Sequence, residues 1–315
     1  MKYLKLTILT ILLLLTSCLE EQVSVSPNEL ARLDSLALHV AVMPVMDCLP
    51  IYYAQSMGMF EDEGLNVVLN EFLSKMDCDT ALLRGRCEMA YTDLIRIVEL
   101  QTDTLPLRAV LAMQGKLSLV TARTKRIRTL KHLHEHMVAL DRLSIADYWS
   151  DELMKTAGLE QTAIYRPQIN NIQLCTYMLN EQLLDAALLP EPYATQAVIL
   201  GNRRIFTTPD SVVIPACMAI QEKYRTDSVK NARIETFIRV YDRAVEQLNN
   251  SEYADTIRAI LISQYVMPEE VVDTLEIPKF PKASIPASTQ LSRSVQWLKG
   301  RERRISARSP LPDKQ

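Results

Sequence analysis

One tripeptide occurs twice in this chain, as Met46-Asp47-Cys48 and Met76-Asp77-Cys78. Each copy sets a thioether, a carboxylate and a thiol side by side. Brought together, the two copies could form a disulfide, which needs Cα atoms roughly 4.4–6.8 Å apart. They could instead offer thiolate and thioether ligands to a soft metal. Kept apart, they are two unrelated free thiols. A second constellation is acidic: Asp47, Asp77, Asp79, Asp93, Asp141 and Glu191 fall in loops after predicted strands, against Lys75 and Arg142. Several of these acids can do no more than cap helices. The excess still favours a cationic or amine-bearing ligand over a simple anion.

The elements around these residues decide whether they meet. Leu38, Val40 and Val42 alternate with His39 and Ala41, which predicts a strand. Pro50 can open a helix that ends at Gly58, and Leu65, Val67 and Leu69 restart the period of two. Such a unit makes two parallel strands about 5 Å apart with a right-handed crossover. The loops Met43–Leu49 and Leu73–Cys78 should therefore be neighbours, with a Cys48–Cys78 disulfide as the leading expectation. They carry Met46, Asp47, Ser74, Met76 and Asp77 to the carboxyl ends of strands, where open α/β sheets bind ligands.

The alternation continues. A strand at Glu88–Tyr91 leads to Thr92 and Asp93, either of which caps a helix Leu94–Leu100, and a strand Leu107–Met113 follows. Gly115–Ala122 reads as a strand crossing into a second lobe. There, Arg142 and Ser144 follow a strand Met137–Leu140, and Asn170 and Asn171 follow a strand near Ile164. Glu191, held between Pro190 and Pro192, follows a strand Ala186–Leu189. Ser144 either caps its helix or touches ligand; Glu191 faces the cleft, a helix dipole, or both. Val212–Ile220 returns to the first lobe. Helices are predicted at Ser228–Asn249, Ser251–Tyr265, Pro268–Leu275 and Ser288–Lys299.

The seven glycines never form Gly-x-Gly, so neither a dinucleotide fingerprint nor a Walker loop is present. A Gly-x-Ser-x-Gly elbow and a His-Glu-x-x-His helix are also missing. That favours binding over catalysis. A net charge of −3 gives no bulk attraction for nucleic acid. Cys87, Cys175 and Cys217 fall inside predicted elements, as small buried hydrophobes. The chain begins with a basic Met-Lys-Tyr-Leu-Lys and an apolar run Leu6–Leu15, the form of an export signal. Leu15-Thr16-Ser17-Cys18 resembles a bacterial lipobox, which implies lipidation at Cys18.

Three stretches together resemble periplasmic solute-binding proteins of the sulfonate, nitrate and thiamine-precursor group. They are the strand–loop–Leu-Pro-x-Tyr-x-Ala opening with its Gly-x-Phe-x-x-x-Gly-Leu-x-Val continuation, Ala81–Asp93, and Leu183–Thr195. The resemblance implies an α/β, two-lobed type II periplasmic-binding-protein fold, each lobe a sheet flanked by helices, joined by two crossing hinge strands near Ser118–Ala122 and Cys217–Ile220. On this reading residues 1–18 are a lipoprotein signal and 19–36 a tether. Residues 37–119 and 221–300 form lobe 1, 120–220 lobe 2, and 301–315 a mobile tail. It implies a monomer without cofactor that captures a small molecule for an ABC importer permease, anchored by lipid and facing the periplasm. His132, His134 and His136 align with a solvated segment, the alternative being a metal bridging His132 and His136. Thiamine-pyrimidine synthases share the fold, but their cysteine-rich run is missing here. An accessory surface lipoprotein is a third reading.

Overall fold

The computed structural model describes residues 36–306 other than 212 and 251–253. The expected lipobox at Cys18, the signal and most of the tether lie outside the described residues. β1 (Leu38–Val42) is followed by α1 (Leu49–Ser56), α2 (Met59–Asp62) and β2 (Val67–Glu71). Pro50 sits in the first turn of α1, and Gly58 takes the left-handed conformation between the two helices. Next come α3 (Lys75–Leu83), β3 (Met89–Asp93), α4 (Leu94–Leu100) and β4 (Leu107–Met113). Residues 114–117 carry the chain across to β5 (Ser118–Thr121), β6 (Val138–Ala139), α5 (Ile145–Ala157), α6 (Ile172–Asn180), β7 (Ala186–Leu189), α7 (Tyr193–Ile199) and β8 (Arg203–Thr207). The chain returns through β9 (Ala216–Gln221) and ends in α8 (Lys223–Thr226), α9 (Ser228–Asn249), α10 (Ala254–Ser263), α11 (Glu269–Thr274) and α12 (Ser288–Ser306).

Two sheets result, ordered β2-β1-β3-β9-β4 and β6-β7-β5-β8. β1 pairs parallel with β2 and β3, as the opening strand–helix–strand unit requires. β9 runs antiparallel between β3 and β4. Both β3 and β9 are buried along their whole length, and the polar residues that end them, Thr92, Asp93 and Gln221, are buried with them. The main core is continuous between the sheets: Val40, Met89 and Met218 belong to the same cluster as Ala187, Leu189 and Tyr193. A second core, with Leu119, Leu133, Ile145 and Leu188, lies on the far side of the smaller sheet.

The stretches expected to cross do so, but the regular strands β5 and β9 each lie within one sheet. The chain crosses between the sheets in residues 114–117, between β4 and β5, and again between β8 and β9. The first crossing lies against the start of β9 and of α5. A Cβ on Gly115 would lie 2.8 Å from the Ala216 nitrogen and 2.8 Å from Ile145 Cδ1, and its φ of +64° is left-handed. Only glycine suits that place.

Three other expectations change. No strand forms near Ile164; Tyr165 and Gln168 make only isolated bridges to Met137 and Leu140. β8 was not foreseen. The last helix does not stop at Lys299 but runs through Gly300 to Ser306, so the expected tail from 301 begins as helix. Arg301 is buried and gives Nη1 and Nη2 to Asp147 of α5 at 3.0 and 2.8 Å. Trp297 donates Nε1 to Asp151 at 2.9 Å. Because α12 also packs on α4, it spans from the larger sheet to the smaller.

Candidate ligand-binding cleft

The junction of the two sheets is crossed by hydrogen bonds. Met46 N donates to Glu191 O at 2.9 Å, and Ile172 N to Leu73 O at 2.9 Å. A side chain engaged from both sides of this junction is Asp93, fully buried at the end of β3. Its Oδ1 accepts from Arg96 N at 3.2 Å, capping α4. Its Oδ2 accepts from Lys75 Nζ at 3.2 Å and, across the junction, from Ile145 N at 3.2 Å. Burial alone would lower Lys75, but Asp93 and Asp141 outweigh it and hold the ammonium above its ordinary pKa. Arg96 pairs with Asp79 and reaches Arg142 O at 3.4 Å.

Asp141 stands out against this background. It follows β6, faces Lys75 and Arg96, and makes no side-chain hydrogen bond or ion pair among the described residues. Burial raises its pKa, with Lys75 and Arg96 pulling the other way. Together with Lys75, Tyr91, Asn170 and Cys175 it lines a cavity of about 30 Å³ between the sheets, room for little more than a water molecule. Beyond Val45, Lys116 and Pro190, which both spaces share, lies a larger chamber of about 490 Å³ lined by Met46, Asp47, Glu191, Arg204 and Glu276.

The other expected site residues divide. Met46, Asp47 and Glu191 line the larger chamber and Asn170 the smaller cavity. Asp47 accepts from Tyr91 OH at 2.9 Å and Gly115 N at 3.0 Å; burial raises it, although both donors favour its charged form. Glu191 accepts from Arg204 at 2.6 Å and, in the first turn of α7, from Thr195 N at 3.0 Å. Ser144 is a cap, accepting from Ala146 N at 3.1 Å. Ser74 caps α3, accepting from Asp77 N at 3.1 Å while its hydroxyl donates to Asp77 Oδ2 at 2.7 Å. Met76 is exposed and its sulfur accepts from Asn170 at 3.4 Å. Arg142 is exposed. Thr92 points away from the cleft, lining a void with Asp79, Leu82 and Ile97 beneath α3 and α4.

The expected Cys48–Cys78 disulfide is absent: both thiols are free and buried. The loops are neighbours, but Cys78 Sγ is turned toward Val42 O, 3.8 Å away. Burial pushes both thiols upward, as it does Cys175, to about 12, and Cys87, to about 11. Among the described residues no group of three His, Cys, Asp or Glu is arranged for a metal. Only the thiolate alkylates readily. Cys48 and Cys78 should therefore stay unlabelled by iodoacetamide in the folded protein and become labelled on unfolding without reductant. Recovery of a linked Cys48–Cys78 peptide would contradict this.

Sequence reasoning missed Lys116, Tyr91, Arg204 and the stretch 274–278. The last begins at the end of the expected helix Pro268–Leu275, and only the tertiary fold brings it over the chamber. Lys116 carried a weak signal, since it lies in the stretch Gly115–Ala122 expected to cross.

Comparison with known proteins gives the same architecture. The alkanesulfonate-binding protein SsuA from Xanthomonas axonopodis pv. citri, bound to MOPS, superposes with a TM-score of 0.70 at 14% identity, covering 88% of this chain and 95% of that one. The aliphatic sulphonate binding protein SsuA from Escherichia coli gives 0.69 at 18%, over 84% and 93%. The nitrate-binding protein NrtA from Synechocystis PCC 6803 gives 0.67 at 11%, over 81% and 74%. No curated protein sequence matches the chain. The model of one family matches residues 46–251, most of the described chain. With its two sheets in the periplasmic-binding-protein arrangement, the chain belongs to the NMT1/THI5-like family.

Proposed function

We propose that this protein is the lipid-anchored substrate-binding component of an ABC importer, a monomer that closes its lobes over a small amine-bearing molecule, of which a thiamine-precursor-like heterocycle is one example. The fold neighbours named above are binding proteins, which supports capture over catalysis. The observation that carries the ligand class is Asp141. Most of the acids counted in the sequence are satisfied within the protein: Asp77 by Ser74, Asp79 by Arg96, Asp93 by Lys75, Glu191 by Arg204. Asp141 is the cleft acid left over. Lys75 and Arg96 bring two positive charges to the junction; Asp79, Asp93 and Asp141 bring three negative ones. A single ammonium balances the set. Its body would extend past Val45 and Lys116 into the larger chamber, and hinge motion at 114–117 and 208–215 would admit it.

A thermal-shift screen of small amines against small sulfonates tests the class, since a ligand that binds only the folded state raises its stability. Amines should shift the protein and taurine or nitrate should not. Asp141→Asn should weaken the amine by roughly thirtyfold or more, the scale of losing one partner of a desolvated charge pair. The pH dependence has a definite sign. Asp141 has a raised pKa, so as pH falls through it the carboxyl gains a proton and loses its attraction for a cation. Affinity should be flat above that pKa and fall below it. Asp141→Asn should remove the dependence, and tight taurine binding would reverse the proposed class. For the anchor, Cys18→Ser should move the protein from the detergent phase to the aqueous phase; unchanged partitioning would sink that part.

A further inference from the structure

The near-neutral net charge hides a concentration. Between Arg123 and Lys131 lie five cations, Arg123, Lys125, Arg126, Arg128 and Lys131, with no acid until Glu135. The fold holds this segment on the outside of the smaller sheet. Ile127 and Leu133 are buried in the second core, and Thr121 Oγ1 donates to Ile127 O at 3.1 Å. The residues between are thrown outward, all five cations exposed. Lys125 is paired with Asp185 at 2.8 Å and Arg123 donates to Leu200 O at 2.8 Å. The side chains of Arg126, Arg128 and Lys131 have no hydrogen bond or ion pair among the described residues. Three cations within six residues, none ion-paired among the described residues, repel one another.

Apolar side chains abut this cationic turn. Asp185, which holds Lys125, also accepts from Met137 N at 2.8 Å, so the turn and Met137 share one anchor. Met137 is 37% exposed, Tyr165 62% and Leu183 56%. Tyr165 is fixed beside Met137 by its N–H to His136 O at 2.9 Å and by the bridge between the two residues. Uncompensated Lys and Arg next to an exposed tyrosine and aliphatic side chains is the composition that settles at a charged bilayer surface, heads on phosphates and apolar parts at the acyl boundary. Glu135 and Glu160 lie at the Tyr165 end of this face, Glu135 N donating to Ala163 O and Ala163 N to Glu160 O, and neither is ion-paired with a cation of residues 126–131.

We infer that this face of the smaller sheet, centred on Arg126, Arg128 and Lys131 with Met137 and Tyr165 beside them, docks on an anionic phospholipid bilayer. The inference goes beyond the cleft reading and needs neither cleft ligand nor permease, so either can fail without the other.

The test uses the chain from Leu19 onward, so that neither an acyl anchor nor the apolar run Leu6–Leu15 contributes, and co-sedimentation with vesicles. Vesicles of phosphatidylcholine alone are compared with an equal mixture of phosphatidylcholine and phosphatidylglycerol. Binding should require the anionic lipid and weaken as salt is raised. The triple variant Arg126→Gln, Arg128→Gln, Lys131→Gln should bind roughly a hundredfold less, each basic side chain near such a surface being worth about a factor of five. These side chains are exposed, so thermal unfolding of the variant should match the parent. Neutralising Lys223, Lys282 and Lys299, exposed elsewhere, should change little. Equal binding to both vesicle types, or full binding by the triple variant, overturns the inference. Failure on vesicles with retention on immobilised polyglutamate overturns it too, and assigns the face to an acidic protein.

Discussion

Asp93→Asn is expected to cost about 3–5 kcal/mol of folding stability, the scale of stripping one partner from a buried ion pair. The substitution is nearly isosteric, so the loss comes from charge and not from a cavity. Lys75 would be left as an ammonium in a buried site, still facing Arg96. The amide can also turn its oxygen to only some of the donors that the carboxylate now serves, namely Lys75 Nζ, Arg96 N and Ile145 N. Thermal unfolding should shift down by roughly 10 °C for a chain of this size. Adding Lys75→Met should recover much of the loss, because removing both charges avoids the stranded cation. A single substitution that costs less than about 1 kcal/mol would mean the pair is far better solvated than its burial indicates.

The second large effect belongs to Arg301→Met. Asp147 has no exposed surface and accepts from Leu143 N at 2.9 Å as well as from Arg301. Arg166 lies 3.8 Å away and is itself held at 2.9 Å by Asp151. Removing the bidentate guanidinium leaves a buried carboxylate with one distant cation, a loss of about 3 kcal/mol or more. Asp147→Asn in the same chain should restore part of it. Denaturant midpoints of the two single variants and the double variant give the coupling directly; additive losses would show that the pair is not an energetic unit.

The two ion pairs illustrate different degrees of legibility. The opening strand–helix–strand unit, the caps Asp93 and Ser144, and the placement of the loops all follow from local rules of period and turn chemistry, and the structure has them. Partners were harder. The acids of the cleft were visible as a set, but Lys75 and Arg96 lie on helices, and nothing local says that their long side chains reach back to strand ends. The doubled Met-Asp-Cys tripeptide correctly placed two loops side by side. A disulfide also depends on the direction of each Cβ, and no spacing encodes that. The last helix was expected to end at Lys299, yet Gly300 is not among the glycines with positive φ, and packing on α4 and the buried Arg301 carry the helix past it. β8 escaped because its basic, half-exposed edge lacks the apolar alternation that marks a strand.

The bridging helix has an optical consequence. The chain holds two tryptophans, and both sit where α12 meets α5. Trp149 lies 5.7 Å and Trp297 6.2 Å, ring centre to ring centre, from the same Tyr148. Leu298 of that helix shares a small apolar cluster with Leu94 and Ile95 of α4 and with Ile214 in a crossing segment. Separating the sheets must pull α12 away from one of them. If it leaves α5, Trp297 loses Asp151 and Tyr148 and enters water; if it leaves α4, the apolar wall beside the indoles opens. Both routes alter the emission spectrum of the unlabelled protein, so stopped-flow fluorescence can time the opening and closing of the cleft without an attached dye.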